Sequence, residues 1–315
     1  MKEKTYKTSI GGQALIEGIM MRGPSKTSVA VRTPDGEIDV KTEKNAVKFK
    51  TVRKVPFVRG VFNMIYSFID GYKYLTYSAE KAGFDLEEEN PSKFEKWLQK
   101  VCGEHLMKII MIIGSVLGVA LSLFLFMYIP SLITSFLASL FKEGYTDFLK
   151  TLTEGVIKMI IFLIYMAAVS FMNDIKRVFM YHGAEHKSIH CYEKGLDLTV
   201  ENIKTCSRFH KRCGTSFIFL VLLISIVLFS VLQITWGNIL FRVAVKILCL
   251  PLVAGIAYEI IKIAGRYDNI LTDIISAPGL WLQRLTTKEP DDSMIEVAIE
   301  ALKEVLPEKG EDDKW

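Results

Sequence analysis

The chain has 315 residues, of which 50% are hydrophobic, with a mean hydropathy of +0.27 and a net charge of +4. Soluble domains seldom average so high, and here the apolar residues concentrate in long uncharged runs, as in membrane proteins. The mild positive charge does not indicate nucleic acid binding. The five cysteines form no CxxC pair, which argues against a disulfide framework or a zinc ribbon. No apolar segment follows Met1, so we expect no cleavable signal peptide.

Near the N-terminus, residues 11–24 (GGQALIEGIMMRGP) are apolar apart from the isolated polar side chains of Gln13, Glu17 and Arg22. The glycines suit a tight loop. The segment could be a buried strand or loop whose polar groups are hydrogen-bonded, or these three side chains could support a functional site. The sequence favours neither interpretation.

Two further elements are predicted before the first membrane segment. Residues 27–44 alternate apolar and polar side chains around Pro34-Asp35-Gly36, which predicts a β-hairpin. Residues 56–77 begin with a proline and carry an aromatic-rich apolar face, which predicts an amphipathic helix on the membrane surface or against the spans. Residues 1–105 are thus predicted to form a cytoplasmic N-terminal region.

The membrane domain is predicted over residues 106–265. Pro130 should break or kink the helix of the first apolar run, and residues 131–141 are too short for a second span and therefore re-entrant or interfacial. Lys158 lies near one end of the second span, where its ammonium can reach the interface. Pro251 could break the fourth span. The segments long and apolar enough to span lie near 109–129, 155–173, 215–236 and 243–264.

The orientation follows from the distribution of basic residues. Four spans place both termini on one side of the membrane, together with the loop 174–213. That loop holds eight Lys and Arg residues, from Lys176 to Arg212, whereas the loops on the other side hold few. The positive-inside rule then assigns both termini and this loop to the cytoplasm. A reducing compartment agrees with unpaired cysteines.

Three of the five histidines, His182, His186 and His190, fall within nine residues at helical spacing. Residues 182–186 read HGAEH, the H-x-x-E-H pattern of inverted zincins. Histidines one turn apart can present nitrogens to one metal, and Glu185 beside them can act as general base. A polar structural cluster remains the alternative, and His190 is the best candidate for a bystander.

A third ligand can come from the return of this loop. Gly195 should end the helix that carries the histidines, and Thr199 should cap a second helix reaching about His210. An antiparallel hairpin over 174–213 then brings His210 and Cys213 level with the first two histidines, so either can be the third ligand. Glu201 and Arg212 are predicted to support the ligands or orient a substrate, as are Gln13, Glu17 and Arg22. Cys191, Cys206 and Cys249 are expected to be small core residues.

Residues 266–315 are predicted to form a cytoplasmic C-terminal tail with an amphipathic helix. Ser293 and Glu296 match a capping box at its start, and an apolar stripe follows. The chain as a whole is therefore predicted to be a mainly α, polytopic helical membrane protein. It has about four spans, a cytoplasmic helical hairpin and a small N-terminal β-hairpin region.

Several long motifs together resemble the YqhQ-like bacterial membrane proteins, a family of unknown function sometimes described as predicted metal-dependent enzymes. The resemblance implies a protein of the bacterial inner membrane and points to His182, Glu185, His186, His210 and Cys213, without supplying a substrate. The motifs are GGQALIEGIMMRGP (11–24), VPFVRGVF (55–62), YHGAEHKSIHCYEKGLDLTVEN (181–202), SRFHKRCGTSF (207–217) and PGLWLQRLTTKEP (278–290).

Two functional hypotheses follow. The first is a membrane-bound hydrolase with a divalent metal, zinc preferred, that acts on a lipid-linked molecule or a membrane-adjacent peptide. The second is a non-enzymatic scaffold, assembly factor or carrier with a structural metal or polar cluster. A transporter is less favoured, because the spans offer few charges besides Lys158 and Glu259. The lipid bilayer is the expected partner, nucleic acid is not, and a homo-oligomer remains open.

Overall fold

The computed structural model describes residues 6–45, 55–83, 106–141, 146–232, 238–267, 269–308 and 311–314, with only the helical backbone described for 106–112. Its strands are β1 (Gly11–Leu15), β2 (Gly18–Arg22), β3 (Lys26–Arg32) and β4 (Ile38–Lys44). Its helices are α1 (Val58–Lys81), α2 (Leu106–Leu123), α3 (Ile129–Leu140), α4 (Asp147–Ser170), α5 (Asn173–Glu193), α6 (Val200–Lys204), α7 (Gly214–Leu232), α8 (Ile239–Arg266), α9 (Ile270–Thr286) and α10 (Asp292–Lys303).

The predicted β-hairpin is confirmed and belongs to a larger sheet. Strands β3 and β4 pair antiparallel, with Arg32 opposite Ile38, and Gly36 takes a positive φ of 87° in the turn. The preceding segment, 11–24, forms a second hairpin of β1 and β2 that turns at Glu17, where φ is 49°. The four strands therefore form one antiparallel sheet in chain order.

Helices cover both faces of this sheet, which explains why five of the seven residues of β3 are buried. On one face, Ile19 and Ala30 pack with residues of α5 and α10 in the main hydrophobic core. On the other face, Val29 and Val31 pack with Tyr74 of α1. Because alternate residues of a strand point to opposite faces, a strand that is covered on both faces buries consecutive residues.

Helix α1 is amphipathic, as its sequence predicts. Its polar anchor to α8 is a charge-assisted contact between Arg59 and Glu259, and Glu259 also accepts a hydrogen bond from the Phe57 N–H at 3.1 Å. Elsewhere the helix leaves large apolar side chains exposed, among them Phe68 at 72% and Ile69 at 58%. Such a face on a membrane protein suits the interface between lipid and water.

Among the described residues, four helices are long and apolar enough to cross a membrane, which confirms the predicted number of spans. They run over Ile113–Leu140, Asp147–Ser170, Gly214–Leu232 and Ile239–Arg266. The predicted end of the third span, 233–236, lies outside the described residues. Side chains that face outward from these helices are apolar, such as Val231 at 70% and Leu248 at 80% exposure. Contact with the lipid bilayer is what this surface requires.

The expected break at Pro130 was wrong. Helix α2 continues into α3 through a π-helical turn, Phe124–Tyr128, in which the Ile129 N–H reaches the Phe124 carbonyl. Proline lacks an N–H and its ring clashes with the carbonyl four residues earlier. The wider π turn shifts the hydrogen-bond pattern just before Pro130, so residues 131–140 extend the first span.

Two other details of the spans differ from expectation. Helix α8 runs without interruption through Pro251. Helix α4 begins at Asp147, earlier than predicted, which places Lys158 well inside the span. The Lys158 side chain is 8% exposed, so it does not extend along the surface to the interface. A charge buried at that depth needs polar surroundings from its own protein.

The chain divides into two compact units. The first comprises residues 1–83, 165–224 and 251–315 and contains the sheet, α5, α6, α9 and α10. The second comprises 84–164 and 225–250 and contains α2, α3 and most of α4. Within the first unit, the residue that caps α10, Asp291, lies two residues before Ser293, the predicted cap. Asp291 caps it by accepting from the Met294 N–H at 2.9 Å, and Glu296 instead contacts Arg32.

Candidate metal centre

Helix α5 leads directly out of a membrane-spanning helix and carries the HGAEH motif on its buried side. It begins at Asn173, after a break at Met172, and ends as predicted near Gly195, which adopts a positive φ of 68°. The return segment was expected to be a helix reaching about His210, which was wrong. Thr199 does cap a helix, but α6 is only five residues long and the return segment, 205–213, is irregular, with bends and turns.

Because the return segment is not helical, its backbone carbonyls are available to the histidines. The Nδ1 atoms of His186 and His190 each lie 2.6 Å from a carbonyl, those of Arg208 and Ser207. The Nδ1 atom of His182 lies 2.8 Å from the Thr286 carbonyl. Because a carbonyl only accepts, each Nδ1 must carry the hydrogen, and the lone pair of the neutral ring is left on Nε2.

Cys213 lies level with His182, as the antiparallel geometry predicts. Its Sγ is 3.1 Å from His182 Nε2. The rings of His182 and His186 are 4.4 Å apart between centroids, and the donor atoms of these two histidines and Cys213 all lie within 4.8 Å of one another. We call His182, His186 and Cys213 the donor group. Helix α7 starts at the next residue, Gly214, so the donor group lies at the end of a span.

The charges in the donor group depend on one another. Burial by itself would raise the pKa of the Cys213 thiol, but the neighbouring His182 and His186 hold it well below its ordinary range. Burial likewise would lower the pKa of His182, but the Cys213 sulfur raises it to about 9. Without a metal, the geometry therefore favours a thiolate and an imidazolium in contact.

Glu185 lies beside the donor group and is 5% exposed. Burial raises its pKa above the ordinary value, while His182 and His186 and a hydrogen bond from the Gly12 backbone act in the other direction. A Cβ atom at Gly12 would lie 2.9 Å from the Glu185 side chain, so only glycine lets β1 approach this closely. A carboxylate with a raised pKa is suited to accept a proton near neutral pH.

The donor group fits a zinc ion by its chemistry. Two imidazole nitrogens and a thiolate are the ligands that zinc prefers, and a metal would replace the proton shared between His182 and Cys213. Bond lengths of about 2.0–2.3 Å in tetrahedral geometry require donor atoms roughly 3.3–3.8 Å apart. The His182 Nε2–Cys213 Sγ distance is 3.1 Å and the three donor atoms all lie within 4.8 Å of one another, so small side-chain shifts suffice to reach that range. The Nδ1 contacts to carbonyls are those that orient metal-binding histidines in general.

A second set of polar residues lies next to the donor group. His190, Glu193 and His210 also place donor atoms within 4.8 Å of one another. Arg212 contacts the Glu193 carboxylate and donates to His210 Nε2 at 3.0 Å. We call these four residues the arginine group. The rings of His186 and His210 are 5.5 Å apart, so the two groups are neighbours with separate contacts.

Burial sets the charges of the arginine group together with Arg212. It lowers the pKa of His210 to about 3, with Arg212 adding to the effect against the carboxylate of Glu193, so this histidine is neutral. Burial would raise the pKa of Glu193, but His210 and Arg212 lower it to about 2. The result is a buried carboxylate–guanidinium pair with a neutral histidine accepting from the guanidinium.

Residues of α9 complete the site and were missed from the sequence. Gln283 donates to the His210 carbonyl at 2.7 Å and accepts from the His210 N–H at 2.8 Å, which fixes the return segment. Thr286 supplies the carbonyl that orients His182. These residues carry no chemical signature, and a backbone carbonyl leaves none in the sequence. Their place in the PGLWLQRLTTKEP motif was the one available sign.

Four residues predicted to support the site lie elsewhere. Glu201 is exposed in the first turn of α6. Gln13 points to Gly71 of α1, on the other face of β1 from Gly12. Glu17 and Arg22 bind the helices around the sheet, through Arg177 at 2.6 Å and Asp70 at 2.6 Å respectively. The predicted core cysteines Cys191 and Cys206 do lie in the main hydrophobic core.

Comparison with known proteins agrees with the resemblance seen in the motifs. The chain is 36% identical over 310 residues to the uncharacterized protein YqhQ of Bacillus subtilis (strain 168), covering 97% of this chain and 95% of the relative. No solved structure matches it. Residues 55–308 match a family described as protein of unknown function, DUF1385. The chain therefore belongs to this family, whose members are YqhQ-like proteins of unknown function.

Proposed function

We propose that this membrane protein is a metal-dependent hydrolase whose ion is held by His182, His186 and Cys213. The observation that carries the proposal is the set of Nδ1 contacts. Each histidine of the donor group donates from Nδ1 to a backbone carbonyl, so the lone pair of each neutral ring is on Nε2. The Nε2 atom of His182 lies beside the Cys213 sulfur. Glu185, which is not needed to complete the donor group, is buried beside it.

Zinc is the preferred ion, because imidazole and thiolate donors suit it better than they suit magnesium or calcium. Three protein ligands are typical of catalytic zinc sites, whereas structural sites usually have four. The Arg212 guanidinium adjoins His210 and Glu193, and its positive charge disfavours a second cation there. We therefore propose one ion with Cys213, and not His210, as the third ligand.

The chain's own residues have separate tasks in the proposed reaction. His182 and His186 hold the ion, which supplies Lewis-acid chemistry when bound. Glu185 accepts the proton of the attacking water on a carboxylate oxygen and can return it to the leaving group. The hydrogen bond from the Gly12 backbone keeps that carboxylate in place. Gln283 and Thr286 maintain the positions of the return segment and of His182.

The location of the site limits the substrate. Cys213 immediately precedes the spanning helix α7, so the reacting bond must come to the membrane surface. A lipid-linked molecule or a peptide segment next to the membrane meets this requirement. We place the site and both termini in the cytoplasm of a bacterium, at the inner membrane, because the basic residues concentrate in 174–213.

The orientation is tested by cysteine labelling. A cysteine introduced at Lys194 or at the C-terminus should react with an impermeant maleimide only after permeabilisation. A cysteine at Gly144 should react in intact cells. The background is a variant without the native cysteines outside the donor group. Labelling of position 194 in intact cells would place the site in another compartment.

The hydrolase itself is tested with Glu185→Gln. The amide keeps the shape of the side chain but cannot accept a proton, and loss of a general base costs about 10²- to 10⁴-fold in rate. We expect the variant to fold, to keep its metal and to fail to complement a deletion strain. Glu201→Gln, an isosteric change at an exposed position of the same loop, is the matched control and should complement fully.

Complementation is measured beside metal content and the amount of protein in the membrane. Full complementation by a metal-loaded Glu185→Gln protein would exclude Glu185 as the base and favour the non-enzymatic scaffold, assembly factor or carrier. Loss of both metal and function is a different result, because Glu185 would then support the metal itself. His186→Ala, which removes a ligand outright, provides the reference for that outcome.

A further inference from the structure

The second unit of the chain buries charged residues inside its spans. Glu154 of α4 contacts Lys246 of α8 and accepts a hydrogen bond from Ser131 of α3 at 2.7 Å. Both Glu154 and Lys246 lie seven residues after the start of their helices, a depth of about 10 Å. Their side chains are 6% and 2% exposed. The charges and hydrogen bonds of these three residues are satisfied among themselves, so this set can be purely structural.

Further buried polar residues lie one helical turn to either side of Glu154 and Lys246. One turn closer to the helix starts, Arg242 donates to Ser135 of α3 at 2.9 Å. One turn deeper, Lys158 is 8% exposed. We call these residues the polar ladder. Its shallow end lies near the end of α3 and the starts of α4 and α8, and it comprises Ser131, Ser135, Glu154, Lys158, Arg242 and Lys246.

The polar ladder carries more positive charge than it can neutralise. Among the residues that the structure describes, three buried cations, Lys158, Arg242 and Lys246, lie with one buried carboxylate, Glu154, which leaves a surplus of two positive charges within this set. The other charged pair described at this end of α4, Asp147 with Lys150, is partly exposed and balanced. An uncompensated charge inside a membrane costs several kcal/mol, so ionisable residues there are rare and usually serve a ligand or ion path.

Unused hydrogen-bond donors lie in the same place. In the part of the chain that the structure describes, Lys158 has no hydrogen-bond or ion-pair partner, although Glu154 and Lys246 are close enough to influence its charge. The Nε atom of Arg242 is buried without a partner, as is the hydroxyl of Thr134 on α3. Donors left unsatisfied in the interior of a protein are costly, and a bound acceptor would remove that cost.

We propose that the polar ladder is a binding site for a phosphate group, with Lys158, Lys246 and Arg242 as its ligands. A phosphate monoester carries about −1.5 to −2 charges near neutral pH and offers several strong acceptor oxygens, which matches both the surplus charge and the unused donors. The phosphate can belong to a lipid headgroup or be a free ion. The proposal does not depend on the hydrolase or its metal.

The test uses the full chain in a neutral maltoside detergent, with the thermal unfolding midpoint as the readout. The probes are short-chain phosphatidic acid, inorganic phosphate and, as the uncharged reference, short-chain diacylglycerol. A ligand that binds only the folded protein raises the midpoint in a saturable manner. We expect such a rise with phosphatidic acid or inorganic phosphate. A rise with the lipid alone identifies a headgroup site, and an equal rise with inorganic phosphate identifies a site for the free ion.

The key variant is Lys158→Met. Loss of one charged hydrogen bond should weaken the apparent affinity for the phosphate probe at least about 10-fold. The ligand-free midpoint should rise, because the substitution removes an uncompensated buried charge. Lys150→Met, on the same helix but paired with Asp147, is the matched control and should bind within about 2-fold of wild type.

Arg242→Lys is the second variant in case Lys158→Met does not fold. It keeps the charge but removes the buried Nε donor, so the affinity should again fall. No rise in the wild type with either phosphate probe would overturn the proposal. It would also be overturned by an equal rise with diacylglycerol, or by unchanged affinity in a folded Lys158→Met protein.

Discussion

The donor group and the arginine group are neighbours formed by α5 and the return segment, and they contain the same kinds of residue. Each has two histidines and one acidic or thiol ligand within 4.8 Å. They differ in what neutralises the negative charge. In the arginine group a fixed guanidinium already occupies the space between Glu193 and His210. In the donor group the Cys213 sulfur interacts with His182 and His186 and with the Thr215 hydroxyl and N–H.

Histidine spacing therefore does not by itself define a metal site. His182, His186 and His190 follow one another at intervals of four residues, and each donates from Nδ1 to a carbonyl. The partner on the opposite segment separates them. A guanidinium takes up the lone pair of His210, whereas a thiol can lose its proton and become a ligand. Four predictions test whether the residues that face the histidines make the two groups different.

The largest effect is expected for Arg212→Met. Removing the guanidinium leaves the Glu193 carboxylate buried without its cation, which typically costs about 3–5 kcal/mol. The free energy of unfolding measured in detergent should fall by that amount, and excess zinc should restore part of it, because the donors of the arginine group become available. Arg177→Met, at the exposed ion pair between α5 and Glu17, should cost less than about 1 kcal/mol. Equal losses in the two variants would contradict the comparison.

The next effect is on acid stability. The pKa of Glu193 is about 2 in the folded protein, below its ordinary value of 4.5. A carboxyl group with a lowered pKa stabilises the fold fully above its unfolded value, and this contribution disappears as the pH falls from about 4.5 towards 2. The difference in stability between wild type and Glu193→Gln should therefore be roughly 3 kcal/mol near neutral pH and shrink in that window. A difference independent of pH would show that the carboxylate is not held ionised.

The third prediction concerns metal affinity. His186→Ala removes a ligand and should weaken zinc binding more than about 100-fold, because loss of even a supporting contact costs about 10- to 100-fold. His190→Ala should change the affinity less than about 3-fold, since its ring belongs to the arginine group. Zinc affinity is measured by competition with a chelator on purified protein. Similar losses in both variants would merge the two groups into one site.

The smallest effect is expected for Glu201→Gln. This side chain is exposed in α6 and should contribute less than about 0.5 kcal/mol to stability. Zinc affinity should also stay unchanged. A clear loss of zinc would show that α6 approaches the donor group in solution more closely than in this structure.

Local patterns determined much of this protein in advance. An uncharged run of about 20 residues can only be satisfied by a helix in lipid, so the number of spans followed from composition. The alternation around Pro34-Asp35-Gly36 defined the β3–β4 hairpin, because a strand has a period of two. The i, i+4 spacing of His182 and His186 placed them on one helix face, and antiparallel geometry brought Cys213 level with them.

Contacts between distant segments were decided only by the tertiary structure. Gly12 against Glu185, Gln283 against His210 and Arg212 between Glu193 and His210 join residues that no sequence period connects. The same holds for Lys246, which lies close to the predicted start of the fourth span at residue 243 and is the buried partner of Glu154. The spacing of a pattern states which side of a helix a residue occupies. Which residue faces it depends on how the helices pack, and that is a property of the whole chain.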